Sequence, residues 1–180
     1  EWATQCDGLP RDPVGALRHE VPAYRCLTVE VPLAGPKHPA VLEAAAGRLH
    51  VSGGWAVQQM IEGLDRGLHA FMPTGLHHTY CEIYRRYARG ERDQARELFD
   101  ELLPVLAFSN QDLEHSIHFF KRLLYAQHIY TTPAVRRPTS DFDPLHERHA
   151  LERIAHALRL EDRIGKHRAH ATTPRTEAIP

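Results

Sequence analysis

Short apolar runs alternate with helical stretches through the first half of the sequence. The runs YRCLTVEV, LHVSGG and LHAFMP have the apolar and β-branched composition of buried strands, and a stretch with helical spacing follows each of them. Parallel neighbouring strands need a crossover element between them, and a helix usually supplies it. Three repeats of strand and helix therefore predict the α/β class, with parallel βαβ units.

Prolines and glycines mark where the helices should begin and end. Asp12 and Pro13 form an N-cap and first-position pair for a short helix that Pro22 closes. Glycine favours the residue after a helix because it adopts positive φ without a steric cost. The later helices are therefore predicted to stop at Gly47, Gly67 and Gly90.

From residue 91 onward the strand pattern is replaced by helical periodicity. Pro104 is predicted to bend or break the helix of DQARELFDELLPVLAF, and Asn110 to cap a longer helix. The buried stripe predicted for that longer helix consists of Leu113, Ile117, Phe120 and Leu124. Asp143 and Pro144 start a last helix that should end at about Leu158. Residues 161–180 contain few large apolar residues, which predicts a disordered tail.

The charge balance excludes several classes of partner. Lys and Arg number 22 against 23 Asp and Glu, a formal charge of -1, so no overall field favours nucleic acid or an anionic membrane. No apolar run approaches the roughly 20 residues of a membrane span, and the first residues do not resemble an export signal. Three scattered cysteines are too few for a disulfide framework, which favours the cytoplasm and predicts that each cysteine is packed as a small apolar residue.

Fourteen histidines raise the question of a metal site. The pairs His115/His118 and His146/His149 have the spacing of one helical turn, and His77/His78 are adjacent. Zinc needs three or four converging donors, and no HExxH pattern or Cys/His cluster supplies the others. We expect no metal and no cofactor, and interpret these histidines as solvated or partly packed.

Four stretches carry a resemblance to a known family. They are CLTVEVPLAGPK, LHVSGGWA, GLHAFMPTG, and GERDQARELFDELLPVL with the later AVRRPT. Their order across roughly residues 9–158 resembles the end of the (β/α)8-barrel lyases of the dihydrodipicolinate synthase and N-acetylneuraminate lyase family. The resemblance implies a partial TIM barrel, made of strands six to eight, in residues 1–90. It also implies an α-helical C-terminal extension in residues 91–160.

A TIM barrel needs eight strands and about 250 residues, so the resemblance covers only its last part. Barrel strands one to five are predicted to have no counterpart in this sequence. The aromatic-x-x-Pro segment that follows strand five in the family would fall at or before Glu1. Trp2 is the nearest aromatic residue, and no proline lies three residues beyond it.

The family resemblance implies class I aldolase chemistry, in which a lysine amine forms an imine with pyruvate or another 2-oxo acid. Such an amine needs a depressed pKa, which burial in a barrel provides. Aligning the family's lysine stretch with CLTVE places Thr28 at the lysine position, with Glu30 beside it. A threonine hydroxyl cannot form an imine. Lys37 lies nine residues further on in the loop and is the minor alternative for the nucleophile. Lys121 lies on a helix of the extension, where a solvated surface position is expected.

Two turns at predicted strand ends are candidate substrate-binding segments. Gly53 and Gly54 could let backbone amides approach a ligand at the carboxyl end of a parallel strand, or simply form a tight turn. Thr74 or His77 could face a substrate or cap the following helix.

These patterns leave three functional hypotheses. The first is a pyruvate-type lyase that is incomplete or inactive because of Thr28. The second is a non-catalytic remnant or assembly module whose strand edges bind a partner chain. The third is a barrel relative that binds an acid substrate without an imine. The expected partners are a 2-oxo acid such as pyruvate, further copies of the chain in a homo-oligomer, or a chain that supplies the missing half-barrel.

Overall fold

The computed structural model describes residues 3–4, 21, 23–31, 33–54, 57–136 and 142–172, with the side chains of 3–4 and 166–172 excluded. The helix predicted from Pro13, the interpretations of Trp2 and Cys6, and the arginine-proline segment at 137–138 lie outside the described residues. The chain divides into two compact units, residues 1–74 and 75–180. The sequence placed the end of the barrel part at residue 90, after the helix of the third βα unit. The chain divides earlier, between residues 74 and 75, so that helix belongs to the second unit.

The first unit contains a parallel sheet of four strands. They are β1 (Ala3–Thr4), β2 (Cys26–Val29), β3 (His50–Gly53) and β4 (Ala70–Phe71), and they are hydrogen-bonded in this order. The three predicted strands are confirmed. The sheet has one strand more than the sequence predicted. This strand, β1, precedes β2 in the chain and pairs with it in parallel.

Helices connect the strands of this sheet. After β2, a 3-10 turn at Gly35–Lys37 leads into α1 (His38–Ala45), and Gly47 follows with a φ of 68°. After β3, α2 (Met60–Asp65) ends before Gly67, whose φ is 90°. Both glycines therefore stand where the sequence predicted the helix stops. Helix α2 begins later than predicted, and Trp55 and Ala56 lie outside the described residues.

The sheet has two different faces. Leu27, Val29 and Val51 are at most 2% exposed, and they form one apolar cluster with Val41 and Ala45 of α1. Successive side chains of a strand point to opposite faces of the sheet. The residues that alternate with this cluster therefore project from the face that does not carry α1.

The second unit is helical. Its helices are α3 (His77–Ala88), α4 (Arg92–Asp100), α5 (Leu103–Ser109), α6 (Leu113–Ala126) and α7 (Pro144–Thr172). Gly90, with a φ of 81°, separates α3 from α4 as predicted. Pro104 lies in the first turn of α5, so the predicted interruption at this proline is confirmed.

Helix α6 corrects two predictions. Its N-cap is Asp112, whose side chain accepts a hydrogen bond from the His115 amide at 2.9 Å, whereas Asn110 ends α5. Leu113 and Ile117 are 68% and 44% exposed, so the predicted buried stripe is wrong in its first half. The buried face consists of His115, Phe119, Phe120, Leu123 and Leu124.

Helix α7 begins as predicted but continues well beyond Leu158. The Asp143 carboxylate accepts hydrogen bonds from the amides of Leu145 and His146, which confirms the predicted cap. Leu160 and Ile164 are 3% and 4% exposed and extend the buried face with helical spacing. The prediction of a disordered tail is therefore wrong for residues 161–172, and residues 173–180 lie outside the description.

Two further observations concern the environment of the chain. Cys26 and Cys81 are free and exposed, so the expectation that they are packed apolar residues is wrong. No helix in the described part of the chain has the length and apolar character needed to cross a membrane.

Candidate functional site

Thr28 belongs to a row of small residues that crosses the sheet. It lies opposite Ala3 of β1 and Ser52 of β3, and Ser52 lies opposite Ala70 of β4. Because Thr28, Ser52 and Ala70 share a register, their side chains project from the same face, the one without α1. Thr28 is 7% exposed, and its hydroxyl donates a hydrogen bond to the Met72 sulfur at 3.3 Å. The position thus provides a buried hydroxyl with a weak acceptor as its partner.

Glu30 follows Thr28 on the same side of the chain and reaches the end of the neighbouring strand. The Gly54 amide donates a hydrogen bond to the Val29 carbonyl at 3.0 Å, which extends the ladder between β2 and β3 by one step. A Cβ on Gly54 would overlap the Glu30 carboxylate. An alanine at residue 54 would therefore have to push the flexible Glu30 side chain aside, and two of the predicted site residues are in contact.

Gly53 has a different environment from Gly54. A Cβ on Gly53 would lie 2.7 Å from Cε1 of Phe71 and 3.2 Å from a methyl carbon of Leu68. Leu68 is buried and Phe71 packs against the apolar cluster, so Gly53 is explained by packing on the helix-bearing face. Of the two glycines predicted to approach a ligand, only Gly54 lies beside Glu30.

Thr74 is the last residue of the first unit and is exposed. The alternative that Thr74 or His77 caps the following helix is wrong, because Glu161 of α7 accepts from the amides of His78 and Thr79 at 3.2 and 2.8 Å. The Thr79 hydroxyl adds a third bond to the same carboxylate at 2.6 Å. Glu161 was not predicted as a capping residue, because it lies in the segment that was expected to be a disordered tail.

The lysines lie away from the strands. Lys37 ends the 3-10 turn before α1, so it lies in the loop where the sequence placed it. The Lys121 amine lies 4.6 Å from the centre of the Tyr130 ring, which is a cation-π contact. Among the side chains that the structure describes, no lysine projects from a strand of the sheet.

Three histidines of the second unit surround one phenylalanine. The ring centres of His115, His118 and His146 lie 4.8, 4.4 and 5.1 Å from that of Phe142. Burial, and then the nearby His146, lower the pKa of the His115 imidazole. Within the described residues, no group of three or more His, Cys, Asp or Glu side chains has an arrangement that could hold a metal ion. These histidines are therefore assigned to packing.

Comparisons with known proteins identify relatives by structure alone. No protein-family model matches the chain, and no curated protein sequence matches it. A dihydrodipicolinate synthase from Rhodopseudomonas palustris matches 73% of this chain with a TM-score of 0.65 and 17% identity. A 4-hydroxy-tetrahydrodipicolinate synthase from Methylacidiphilum fumariolicum SolV matches 87% of this chain with a TM-score of 0.73 and 14% identity.

The matched regions are 45% and 52% of those two proteins, so this chain spans about half their length. The parallel sheet, its helix-covered face and the helices of the second unit agree with part of a barrel of this kind. The chain thus has the fold of the corresponding part of a dihydrodipicolinate synthase.

Proposed function

We propose that this chain forms part of a dihydrodipicolinate synthase-like (β/α)8 barrel, with β2, β3 and β4 as barrel strands six to eight. Consecutive strands of such a barrel are parallel neighbours, and their helices lie on the outer face. The order β1-β2-β3-β4 and the packing of α1 against Leu27 and Val29 support this assignment. On the same reasoning, β1 corresponds to barrel strand five, which replaces the expectation that strands one to five have no counterpart. Residues 91–160 form the helical extension.

The orientation of Thr28 is the observation that carries the proposal. It projects from the face without α1, which in a barrel is the interior, and Glu30 follows it at the carboxyl end of the strand. A lysine that forms an imine with a 2-oxo acid would have to project in this way. The hydroxyl of Thr28 cannot form that bond, so this chain is a lyase-like barrel segment without imine chemistry toward pyruvate.

Imine trapping tests this function on the full chain. The protein is incubated with pyruvate and borohydride, and a dihydrodipicolinate synthase with its strand lysine is treated in parallel as the positive control. We expect the control to gain the mass of the reduced pyruvate adduct and this chain to gain none. An adduct located on Lys37 by peptide mass spectrometry would mean that the nucleophile has moved into the loop, and it would overturn the proposal.

The edges of the sheet favour a second candidate function, a non-catalytic module that assembles with another chain. Strands β1 and β4 end the sheet, and in the described residues neither pairs with a further strand. Exposed strand edges pair readily with other chains. The partner would be a second copy, as in a homo-oligomer, or a chain carrying the remaining strands. The exposed thiols of Cys26 and Cys81 fit a reducing compartment such as the cytoplasm.

Sedimentation equilibrium over a range of concentrations tests this second candidate. Assembly through the strand edges predicts a mass of at least two chains at micromolar concentration. A monomer of 20.5 kDa that unfolds in one cooperative transition would contradict it.

A further inference from the structure

The start of α7 is attached to the second unit by few side chains. Residues 143–145 and 148–149 are exposed, and Ala150 is the first buried residue of the helix. The position of the first turn therefore depends on the partly buried side chains of this segment and on what they contact. These side chains are those of Phe142, His146 and Glu147.

Phe142 and His146 lie against rings of α5 and α6. Their own ring centres are 5.1 Å apart, with the ring planes 21° from parallel. His115 lies 4.8 Å from Phe142 and 5.1 Å from His146, and His118 lies 4.4 Å from Phe142. Phe108 of α5 lies 6.4 and 5.5 Å from the same two rings. Three imidazoles thus take part in joining the first turn of α7 to the neighbouring helices.

Arg122 of α6 adds polar contacts to the same segment. Its guanidinium pairs with the Glu147 carboxylate and lies 5.3 Å from the centre of the Phe142 ring. Its Nε donates a hydrogen bond to Nε2 of His118, one turn earlier on α6, at 3.1 Å. A protonated imidazole has two donor nitrogens and no acceptor. His118 can therefore hold Arg122 in this way only while its ring is neutral.

We propose that the imidazoles of His115, His118 and His146 form a pH-sensitive latch, which holds the start of α7 against α6 at neutral pH and releases it in acid. The release is local. Further along α7, Ile154 and Ala157 are at most 5% exposed, and Glu161 accepts hydrogen bonds from α3. The latch lies in the second unit and does not depend on whether the chain belongs to a lyase barrel.

Two costs of protonation favour the release. A protonated His115 would be a buried charge, because the side chain is 3% exposed, and burial, followed by the nearby His146, lowers its pKa. A protonated His118 would lose its bond from Arg122 and place two positive charges in contact. Since the pKa of His115 is lower in the folded chain than the unfolded value of about 6.5, the closed latch is most stable above that pH. It loses stability as the pH falls below it.

Other charged and polar groups face the latch and oppose its release. Burial has the largest effect on the pKa of His115 and lowers it, whereas Asp112 and a bond to the Phe108 carbonyl act in the opposite direction. Helix α5 contains no ionisable side chain. The release therefore requires that the burial of His115 and the lost bond from Arg122 outweigh the attraction of the nearby carboxylates. These carboxylates are those of Asp112, which caps α6, Asp143, which caps α7, and Glu147.

Residue-resolved hydrogen exchange of the full chain at pH 7 and pH 5 tests the proposal. The rates are converted to protection factors, which removes the intrinsic effect of pH on exchange. The reporting amides are those of residues 147–150, and the first of them bonds to the Asp143 carbonyl at 2.9 Å. We expect their protection to fall by about tenfold at pH 5, while that of residues 157–161 changes by less than about twofold. An equal loss in both segments, or no loss in either, would overturn the proposal.

A variant without the three imidazoles separates pH sensing from packing. His115→Phe and His146→Phe keep aromatic rings, and His118→Gln keeps an acceptor for Arg122. The triple variant should therefore have the same protection at residues 147–150 at both pH values. His149→Phe changes an exposed histidine of α7 and should lose protection in acid as wild type does.

A folded triple variant that loses protection in acid as much as wild type does would show that these imidazoles are not the latch. If the triple variant does not fold, His118→Gln alone decides the question. It should reduce the acid-dependent loss at residues 147–150, because its amide oxygen accepts from Arg122 at both pH values. An unchanged loss in His118→Gln would contradict the latch.

Discussion

The Glu30 carboxylate lies against the Cα of Gly54, where a Cβ would overlap it. Glu30 follows β2 and Gly54 follows β3, so this contact joins the carboxyl ends of two neighbouring parallel strands. Ligands of barrel enzymes bind at this end of the strands. The Glu30 carboxylate follows Thr28 on the same side of β2, and its position depends on the absence of a side chain at Gly54.

Replacing Gly54 by alanine should therefore displace Glu30. The Glu30 carboxylate is flexible and partly exposed, so the loss in the free energy of unfolding should be smaller than the about 1–3 kcal/mol typical of an overpacked core, and urea denaturation measures it. Truncation of the partner in Glu30→Ala/Gly54→Ala should recover most of the loss, and a double-mutant cycle would report the coupling. Gly165→Ala is the control without overpacking, because its nearest neighbour would lie 3.9 Å away, and helix propensity should raise the free energy of unfolding by up to about 1 kcal/mol. If Gly54→Ala lowers the free energy of unfolding equally in wild type and in Glu30→Ala, the two residues do not interact.

Glu161 should stabilise the second unit by capping α3 from a different helix. It is 5% exposed and accepts bonds from two amides and the Thr79 hydroxyl. Glu161→Ala leaves those donors unsatisfied and should lower the free energy of unfolding by about 1–3 kcal/mol. Asp162→Ala removes the exposed neighbouring carboxylate and should change it by less than about 0.5 kcal/mol. Equal effects of the two substitutions would contradict the capping role.

His115 should make the stability of the second unit depend on pH. Its pKa in the folded chain is lowered, chiefly by burial, so the unfolded chain binds a proton at a higher pH than the folded chain does. The free energy of unfolding is highest at a pH above the pKa of His115 in the unfolded chain, which is about 6.5. It decreases as the pH falls from that value toward the lower pKa of the folded chain.

The measurement is the free energy of unfolding at pH 8 and pH 5 for wild type, His115→Phe and His149→Phe. Between pH 8 and pH 5, the free energy of unfolding should fall less in His115→Phe than in wild type. In His149→Phe, which changes an exposed histidine, it should fall as much as in wild type. Some loss should remain in His115→Phe, because the pKa of His38 is shifted in the same direction. A wild-type pH profile in His115→Phe would show that His115 is not the group responsible.

The sequence predicted the elements that have long, strong patterns. The three strands after residue 24 and the glycine stops at Gly47, Gly67 and Gly90 are confirmed because each has composition or backbone geometry specific to it. Strand β1 has two residues, which is too short to produce any alternation. In α6 the stripe was misplaced because Phe119 and Leu123 are as apolar as the residues chosen, and periodicity alone does not separate the two faces.

The residues of the candidate site were named from the sequence, but the contacts between them were not predicted. The family resemblance selected Thr28 and Glu30, whereas Gly53, Gly54 and Thr74 were selected because they lie at the ends of predicted strands. Which of them meet depends on register, and the register became known only from the pairing of Val29 with Gly53. Glu161 was missed because its role comes from its contact with a different helix, which no local pattern signals.

If Thr28 occupies the position of an imine-forming lysine, the substitution Thr28→Lys should restore an amine that reacts with pyruvate. The full-length variant is treated with pyruvate and borohydride, with Ser52→Lys as a control for a lysine on the same face of the next strand. Burial lowers the pKa of the new amine and favours imine formation, and Ser52 is as buried as Thr28, so a difference between the two variants reports the position of the amine. We predict more reduced pyruvate adduct at residue 28 in Thr28→Lys than at residue 52 in Ser52→Lys. A folded Thr28→Lys protein that gains no adduct, or one that reacts no more than Ser52→Lys does, would contradict the account.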